Sequence, residues 1–527
     1  MKIHDHLQSL DFLVVIFYIL LLTGIGAYIS FRKKKTSSED YFLAGNSLKW
    51  YSIGLTMWGT NVGPSMLIAS CAIGYTTGIV AGNFSWYAFV FIALLALVFA
   101  PHYKNAKIST LPEFMGKRFN ETTRGLLAWY TLVTILISWL GLTLYAGGLL
   151  VNQIMDWPLW LSVCSLMLLA SFFAIAGGLE AIAITNVFQM ILLILASAIL
   201  VIAGILELGG LDRLVRNVPE HYWNLFQPLD NPDYPWLAII LGYPILGIWF
   251  WCTDQSMVQS VLGAKNLNHG QLGTNFTGWL KIIDIPLFIL PGILCFLLYP
   301  DLKDENEAYM TMVTGLLPVG MVGFIMAVLI AALVSTIDSA LNSFSTIFTM
   351  DIYAKNIDRK ASSKKLVFIG RITMVVGALL AILIAFGLDK IKGMDLFSLF
   401  QAILGYLAPP MTALFLLGVL WEKTSTKAAN LSLVIGSFVS LFVGVLQLME
   451  YPNKDFWPHF LYVSFFLFVF IILLMIVITL LDNKQEESKF PTLKESYFKL
   501  GYKPSTQVVV LWGILFVTMI VLYIIFN

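Results

Sequence analysis

The sequence predicts an all-α polytopic membrane protein whose core is an inverted five-helix repeat (5+5) with discontinuous helices. Three observations predict it: an apolar composition, a series of fourteen apolar runs of membrane-spanning length, and helix-breaking residues at the centres of two runs five apart. Of 527 residues, 58% are hydrophobic and 12% are charged. An average soluble domain is about a quarter charged and less than half apolar. Mean hydropathy is +0.82, and 32 Lys and Arg with 31 Asp and Glu are too few to cover a soluble surface of this size. The formal net charge of +1 lacks the basic footprint of a nucleic-acid binder. The four cysteines, Cys71, Cys164, Cys252 and Cys295, lie in apolar stretches without CxxC or Cys/His spacing, which excludes a disulfide scaffold or a zinc site. The expected environment is the lipid bilayer, and no nucleic-acid partner is expected.

A helix crosses the hydrocarbon core with about 20 apolar residues. On that rule the runs are 10–31, 51–74, 79–102, 124–153, 158–178, 181–206, 236–261, 273–299, 316–350, 367–388, 395–421, 427–449, 457–481 and 506–526. The first run differs from a signal peptide, whose positive charge precedes a shorter apolar core. Here Arg32-Lys33-Lys34-Lys35 follows the run. With the N-terminus outside, the loops at 32–50, 103–124, 262–272, 351–371, 422–427 and 482–505 face the cytoplasm and carry 24 of the 32 Lys and Arg. That satisfies the positive-inside rule, and an even number of spans brings the C-terminus outside as well. The expected organisation is an extra span and basic loop (1–50), a first repeat of five spans (51–235), a second (236–425) and three accessory spans (426–527). The cytoplasmic loops are too short to fold a catalytic domain, and the six histidines lie in loops or at span ends. No enzyme is expected, and no organic cofactor; movement of a solute across the bilayer is.

The second run carries Gly59-Thr60-Asn61-Val62-Gly63-Pro64 at its centre, and the seventh carries Gly242-Tyr243-Pro244 with Gly247. Proline removes a backbone donor and glycine costs about 1 kcal/mol in a helix. In lipid a freed carbonyl needs a partner, so a break is tolerated where it lines a cavity or meets an ion. With the first span set aside, these are helices one and six of the remainder, the matching places of an inverted repeat and the pointer to a midplane site. Packing glycines and a proline kink are the alternative at either place. The ninth run holds Ser335, Thr336, Asp338 and Ser339 within about one turn. Hydroxyls and unwound carbonyls suit a hard cation, and a carboxylate at membrane depth is costly unless paired or bound to a cation. In the eighth run Lys281 and Asp284 stand at i and i+3, a spacing that allows an ion pair; the sharper expectation is that Lys281 donates to a polar solute.

Dispersed motifs then bring a family into view. Asp40-Tyr41-Phe42-Leu43-Ala44-Gly45, Leu111-Pro112-Glu113-Phe114 with Lys117-Arg118-Phe119, and Gly177-Gly178-Leu179 with Thr185-Asn186 and Gln189 occur in this order. They are followed by Trp251-Cys252-Thr253-Asp254-Gln255 with Val258-Gln259 and Ala264-Lys265-Asn266, and by Phe348-Thr349-Met350-Asp351-Ile352-Tyr353. From Asp40 to Trp421 the chain resembles the sodium/solute symporter family, and within it the sodium/glucose cotransporter branch.

The resemblance implies a sodium-coupled symporter that imports a small polar solute, a sugar or polyol, by alternating access across the cell membrane. It implies a sodium site built from the carbonyls of Gly59, Val62 and Ala332 and the hydroxyls of Ser335 and Thr336. Where the family's two-sodium members carry an aspartate, this chain has Asn186; where they carry serines, it has Asp338 and Ser339. These three residues are expected to form an altered second cation site, or a proton-linked one. Asn61, Trp251, Lys281 and Gln401 stand at sugar-contact positions, and Met66, Ser85 and Gly247 replace polar ligands of characterised sugar carriers. Phe250 stands at the inner gate, and Phe84 and Phe397 at the outer gate.

Overall fold

The structure is a computed structural model that describes residues 7–32, 37–231, 233–390, 396–482 and 502–527. Among the described residues every extended element is a helix, and strand pairing is limited to two isolated bridges, Leu48 with Ala264 and Gln227 with Pro235. Among the described residues twelve helices are long and apolar enough to cross a membrane, and the chain is an integral, multi-pass membrane protein.

Twelve is fewer than the fourteen runs expected, and the difference has two local causes. The second run divides into Trp50–Asn61 and Pro64–Thr77, and the apolar path then continues over Met66–Ala106, 41 residues. At 1.5 Å per residue that path is about 60 Å long, more than one bilayer crossing. The fifth run is the second cause: Leu159–Phe172 is a shorter apolar helix in a 50-residue helical path, Leu159–Leu208, interrupted at Gly178. Gly178 has φ +59°, and a Cβ there would lie 2.4 Å from the Tyr41 carbonyl oxygen. Only glycine permits both the left-handed backbone and that approach.

The seventh run does break, but not at its glycines and proline. Trp236–Ile248 continues as a π-helical turn through Trp249–Thr253, and the path interrupts at Asp254, φ −81° and ψ 128°, before Gln255–Leu262. A Cβ on Gly242 would meet the Leu461 carbonyl at 2.3 Å, and one on Gly247 the Phe91 ring at 2.2 Å. These are close-packing glycines, and Pro244 sits inside a helix that continues past it. The break falls at Asp254 because its carboxylate supplies the cap of the next helix, accepting from the amides of Ser256 at 2.8 Å and Met257 at 3.3 Å.

At the centre of the molecule runs the helix Met321–Ile347. In the most apolar stretch of Met321–Ile357, 89% of the residues are buried, against 22% in Thr506–Ile525 at the periphery. The central helix packs on Leu159–Leu208, Ser9–Arg32, Ser363–Leu388 and Trp50–Asn61. Asp11 of the first helix caps it, accepting from the Gly320 amide at 2.7 Å and the Gly323 amide at 2.8 Å. The outer helices present Phe438, Leu480, Leu481 and Ile524 outward, as lipid-facing surfaces do.

Candidate functional site

The two halves of the broken second run meet at Val62 and Gly63, which have ψ of 82° and 158°. The Gly63 amide, which would close a further turn on the Gly59 carbonyl, donates to the Asn61 carbonyl at 3.2 Å instead. Helix ends leave carbonyls without intrahelical partners, so this break presents backbone oxygen near the middle of the fold. The central helix faces it: a Cβ on Gly63 would lie 3.7 Å from the Thr336 hydroxyl. Thr336 donates to the Ala332 carbonyl at 3.2 Å, and the Ser335 hydroxyl is buried with no hydrogen-bond partner. A buried hydroxyl without a partner costs about 1–3 kcal/mol, which a bound cation would offset. The oxygen set fits a small hard cation.

One turn further along, Asp338 and Ser339 are buried with Thr60 and Asn186. Ser339 donates to Asp338 Oδ1 and accepts from Thr60, both at 3.3 Å, and Asn186 reaches Ser339 at 3.5 Å. Asp338 Oδ2 and Asn186 Oδ1 have no hydrogen-bond partner. The three residues expected at a second cation site are thus together, and Thr60 joins them.

A cavity of about 360 Å³ borders the break, within the range of small-molecule pockets. Asn61, Met66, Gly247, Trp251 and Gln401 line it, as do Phe84, Phe250 and Thr336. Two expected contacts, Ser85 and Lys281, are not in the wall. Lys281 is 1% exposed; it pairs with Asp284 and donates to Asn61 Oδ1 at 2.7 Å. Ser85 donates to Asp284 Oδ2 and Trp58 Nε1 to Asp284 Oδ1, each at 2.8 Å. Both therefore stand behind the wall, because the buried Asp284 carboxylate holds them there. The Phe397 side chain lies outside the described residues.

The sequence reading did not anticipate Trp139, Tyr243, Trp249 or Gln153 in the wall. Trp139 packs on Phe250 with ring centroids 5.1 Å apart and donates to Asp254 Oδ2 at 3.0 Å. Tyr243 donates to the Phe84 carbonyl. An aromatic residue inside an apolar run carries no signal of which way it points. Asp254 did carry one: it is a carboxylate inside an apolar run. On the side of the loops expected in the cytoplasm, Arg124 and Asp351 form a buried ion pair at 2.6 Å. Gln259 joins Phe42 and Thr346 there, at 2.9 and 2.8 Å.

Comparison with known proteins agrees with this architecture. The sequence profile of the sodium:solute symporter family matches residues 41–436. The chain is 31% identical over 479 residues to the sodium/glucose cotransporter 4 of Mus musculus, covering 84% of this chain and 69% of that one. It is 30% identical over 529 residues to the sodium/myo-inositol cotransporter of Homo sapiens, covering 90% and 74%. A Na⁺-coupled sialic acid symporter, solved in a substrate-bound outward-open state, shares the fold. Its TM-score is 0.79 at 20% identity, over 91% of this chain and 99% of that one. The chain belongs to the sodium:solute symporter family.

Proposed function

We propose that this protein is a sodium-coupled symporter that imports a sugar or polyol by alternating access, and is a transporter without enzymatic activity. The observation that carries the reading is the unwound Val62–Gly63 segment facing Thr336, a residue of the central helix that also lines the cavity. Sodium, as co-transported substrate, is held by the carbonyls of Gly59, Val62 and Ala332 and the hydroxyls of Ser335 and Thr336. It joins two helices, so it favours the conformation in which they are close; a ligand shifts an equilibrium by its differential affinity for the two states. Asn186, Asp338 and Ser339 form a second cation site. The solute lies above the ion, against Asn61, Trp251, Gln401, Met66 and Gly247, between Phe250 on the inner side and Phe84 on the outer side.

The relatives named for glucose and myo-inositol support a polyhydroxy solute, and the amide and hydroxyl groups of the wall suit one. Segments 51–235 and 236–425 form the two repeats, and the protein resides in the cell membrane with both termini outside. The test is uptake of labelled glucose and myo-inositol by reconstituted vesicles. Uptake is expected under an inward Na⁺ gradient and lost when K⁺ replaces Na⁺. Ser335→Ala is expected to raise the Na⁺ concentration for half-maximal uptake about tenfold, the loss of one oxygen ligand at about 1.4 kcal/mol. Uptake equal in Na⁺ and K⁺ overturns the reading.

A further inference from the structure

We infer that Asp284 sets the charge selectivity of the cavity: by holding Lys281 in a closed ion pair behind Asn61, it makes the pocket one for neutral polyhydroxy solutes and closes it to carboxylates. This role presupposes that the cavity is the solute site.

No described residue that lines the cavity is charged. The Lys281 ammonium lies 5.9 Å from the centre of the Trp251 ring and bonds directly to the wall residue Asn61. Left alone, a buried ammonium so close to a solute pocket would attract anions and repel cations, because the charge is poorly screened there. Asp284 cancels it. The carboxylate is 1% exposed and is itself fixed by Trp58 and Ser85, so Lys281 has an obligatory partner inside the protein and needs none from the solute.

The same pair determines what the wall offers. Lysine has only donors, so the Asn61 carboxamide must turn its oxygen to Lys281. Its NH₂ is then the group left for the cavity. A hydroxyl oxygen accepts from that NH₂ at little cost. A carboxylate placed there must give up water without meeting a cationic side chain in the wall, and burying a charge that lacks an ion-pair partner is expensive.

The experiment is equilibrium binding to the purified full-length protein in Na⁺ buffer, which requires no transport. The probes are labelled glucose, myo-inositol, glucuronate and, at pH 6, protonated glucosamine. Wild type is expected to prefer the tighter of the two neutral probes over glucuronate by at least ~10-fold. Asp284→Asn keeps the shape and frees the ammonium, and the preference is expected to fall at least ~10-fold. Lys281→Met leaves the carboxylate unpaired and is expected to shift preference toward glucosamine by a similar factor. Together, Lys281→Met with Asp284→Asn removes both charges and is expected to restore the wild-type order.

Wild-type binding of glucuronate as tight as that of the neutral probes overturns the role of Asp284. So does an unchanged preference in the single variants, or binding of none of the probes. If one single variant does not fold, the other and the wild-type ratio decide. A purely structural pair would lower stability in both single variants without moving their preferences in opposite directions. Binding with the expected preferences but no Na⁺-driven uptake would overturn the symport reading and leave Asp284 its role; the converse separates them the other way.

Discussion

Asp338 stands in a wall of hydroxyls and amides that leaves its Oδ2 without a partner. A carboxylate this deep in the membrane is retained where a cation or proton meets it. If it forms a second cation site with Asn186 and Ser339, Na⁺-dependent uptake should show a Hill coefficient above one in wild type and near one in Asp338→Asn. A coefficient near one in both, with unchanged uptake, would exclude the site. Asn61 is the other residue on which the arrangement turns, because it is at once a wall of the cavity and an acceptor for Lys281. Asn61→Ala should weaken solute binding by about 1–3 kcal/mol, since it removes a donor and strands a buried ammonium contact. These residues were legible as polar atoms within apolar runs. Which of them touch the cavity was not, because Lys281 and Asp284, three positions apart, satisfy each other.

At the scale of the helix, the breaks in the second and seventh runs have different origins. The first follows from Gly63 and Pro64, and its place was visible in the sequence. The second falls at Asp254, where one carboxylate caps Gln255–Leu262 and also holds the indole of Trp139. Asp254→Ala should therefore destabilise the protein by about 2 kcal/mol through the lost cap and also weaken solute binding, because Trp139 packs on Phe250. Thermal unfolding in detergent and solute titration read the two effects separately; an unchanged value in both would refute the link. Gly242 and Gly247 mark where another helix comes close, a purpose that glycine serves in membrane helices as well as that of a break. Sequence pattern does not distinguish the two uses, since the neighbour, Leu461 or Phe91, is remote in the chain. At Gly178 the backbone itself decides: Gly178→Ala, with φ +59° and Tyr41 in the way, should impair folding, read as loss of monodisperse protein on extraction.

For the whole molecule, charge and burial describe complementary things. The concentration of Lys and Arg in one set of loops gives the expected orientation, in which the loop at 351–371 is cytoplasmic and the loop at 301–307 is outside. A cysteine at Asp304 should react with a membrane-impermeant thiol reagent in intact cells, and one at Lys360 only after permeabilisation; the reverse pattern would invert the topology. The cavity is lined in part by Asn306, so the same experiment bears on the side from which solute enters. The buried Arg124–Asp351 pair lies at the opposite end, where helices that carry the loops expected in the cytoplasm are tied together.

Composition and periodicity by themselves determined the membrane environment, the run of spanning helices, the break at Val62–Gly63 and the oxygen-rich stretch of the central helix. Each is local: apolar length, a helix breaker or a cluster of hydroxyls within one turn acts where it stands. Family resemblance added the expectation of which of these residues share a site. Only the tertiary structure decided that the second break is at Asp254, that Ser85 and Lys281 stand behind the wall, and that Trp139 and Tyr243 stand in it. Those outcomes depend on partners brought from distant helices: a carboxylate that needs donors, a lysine that needs a carboxylate, and a ring that fills what its neighbours leave.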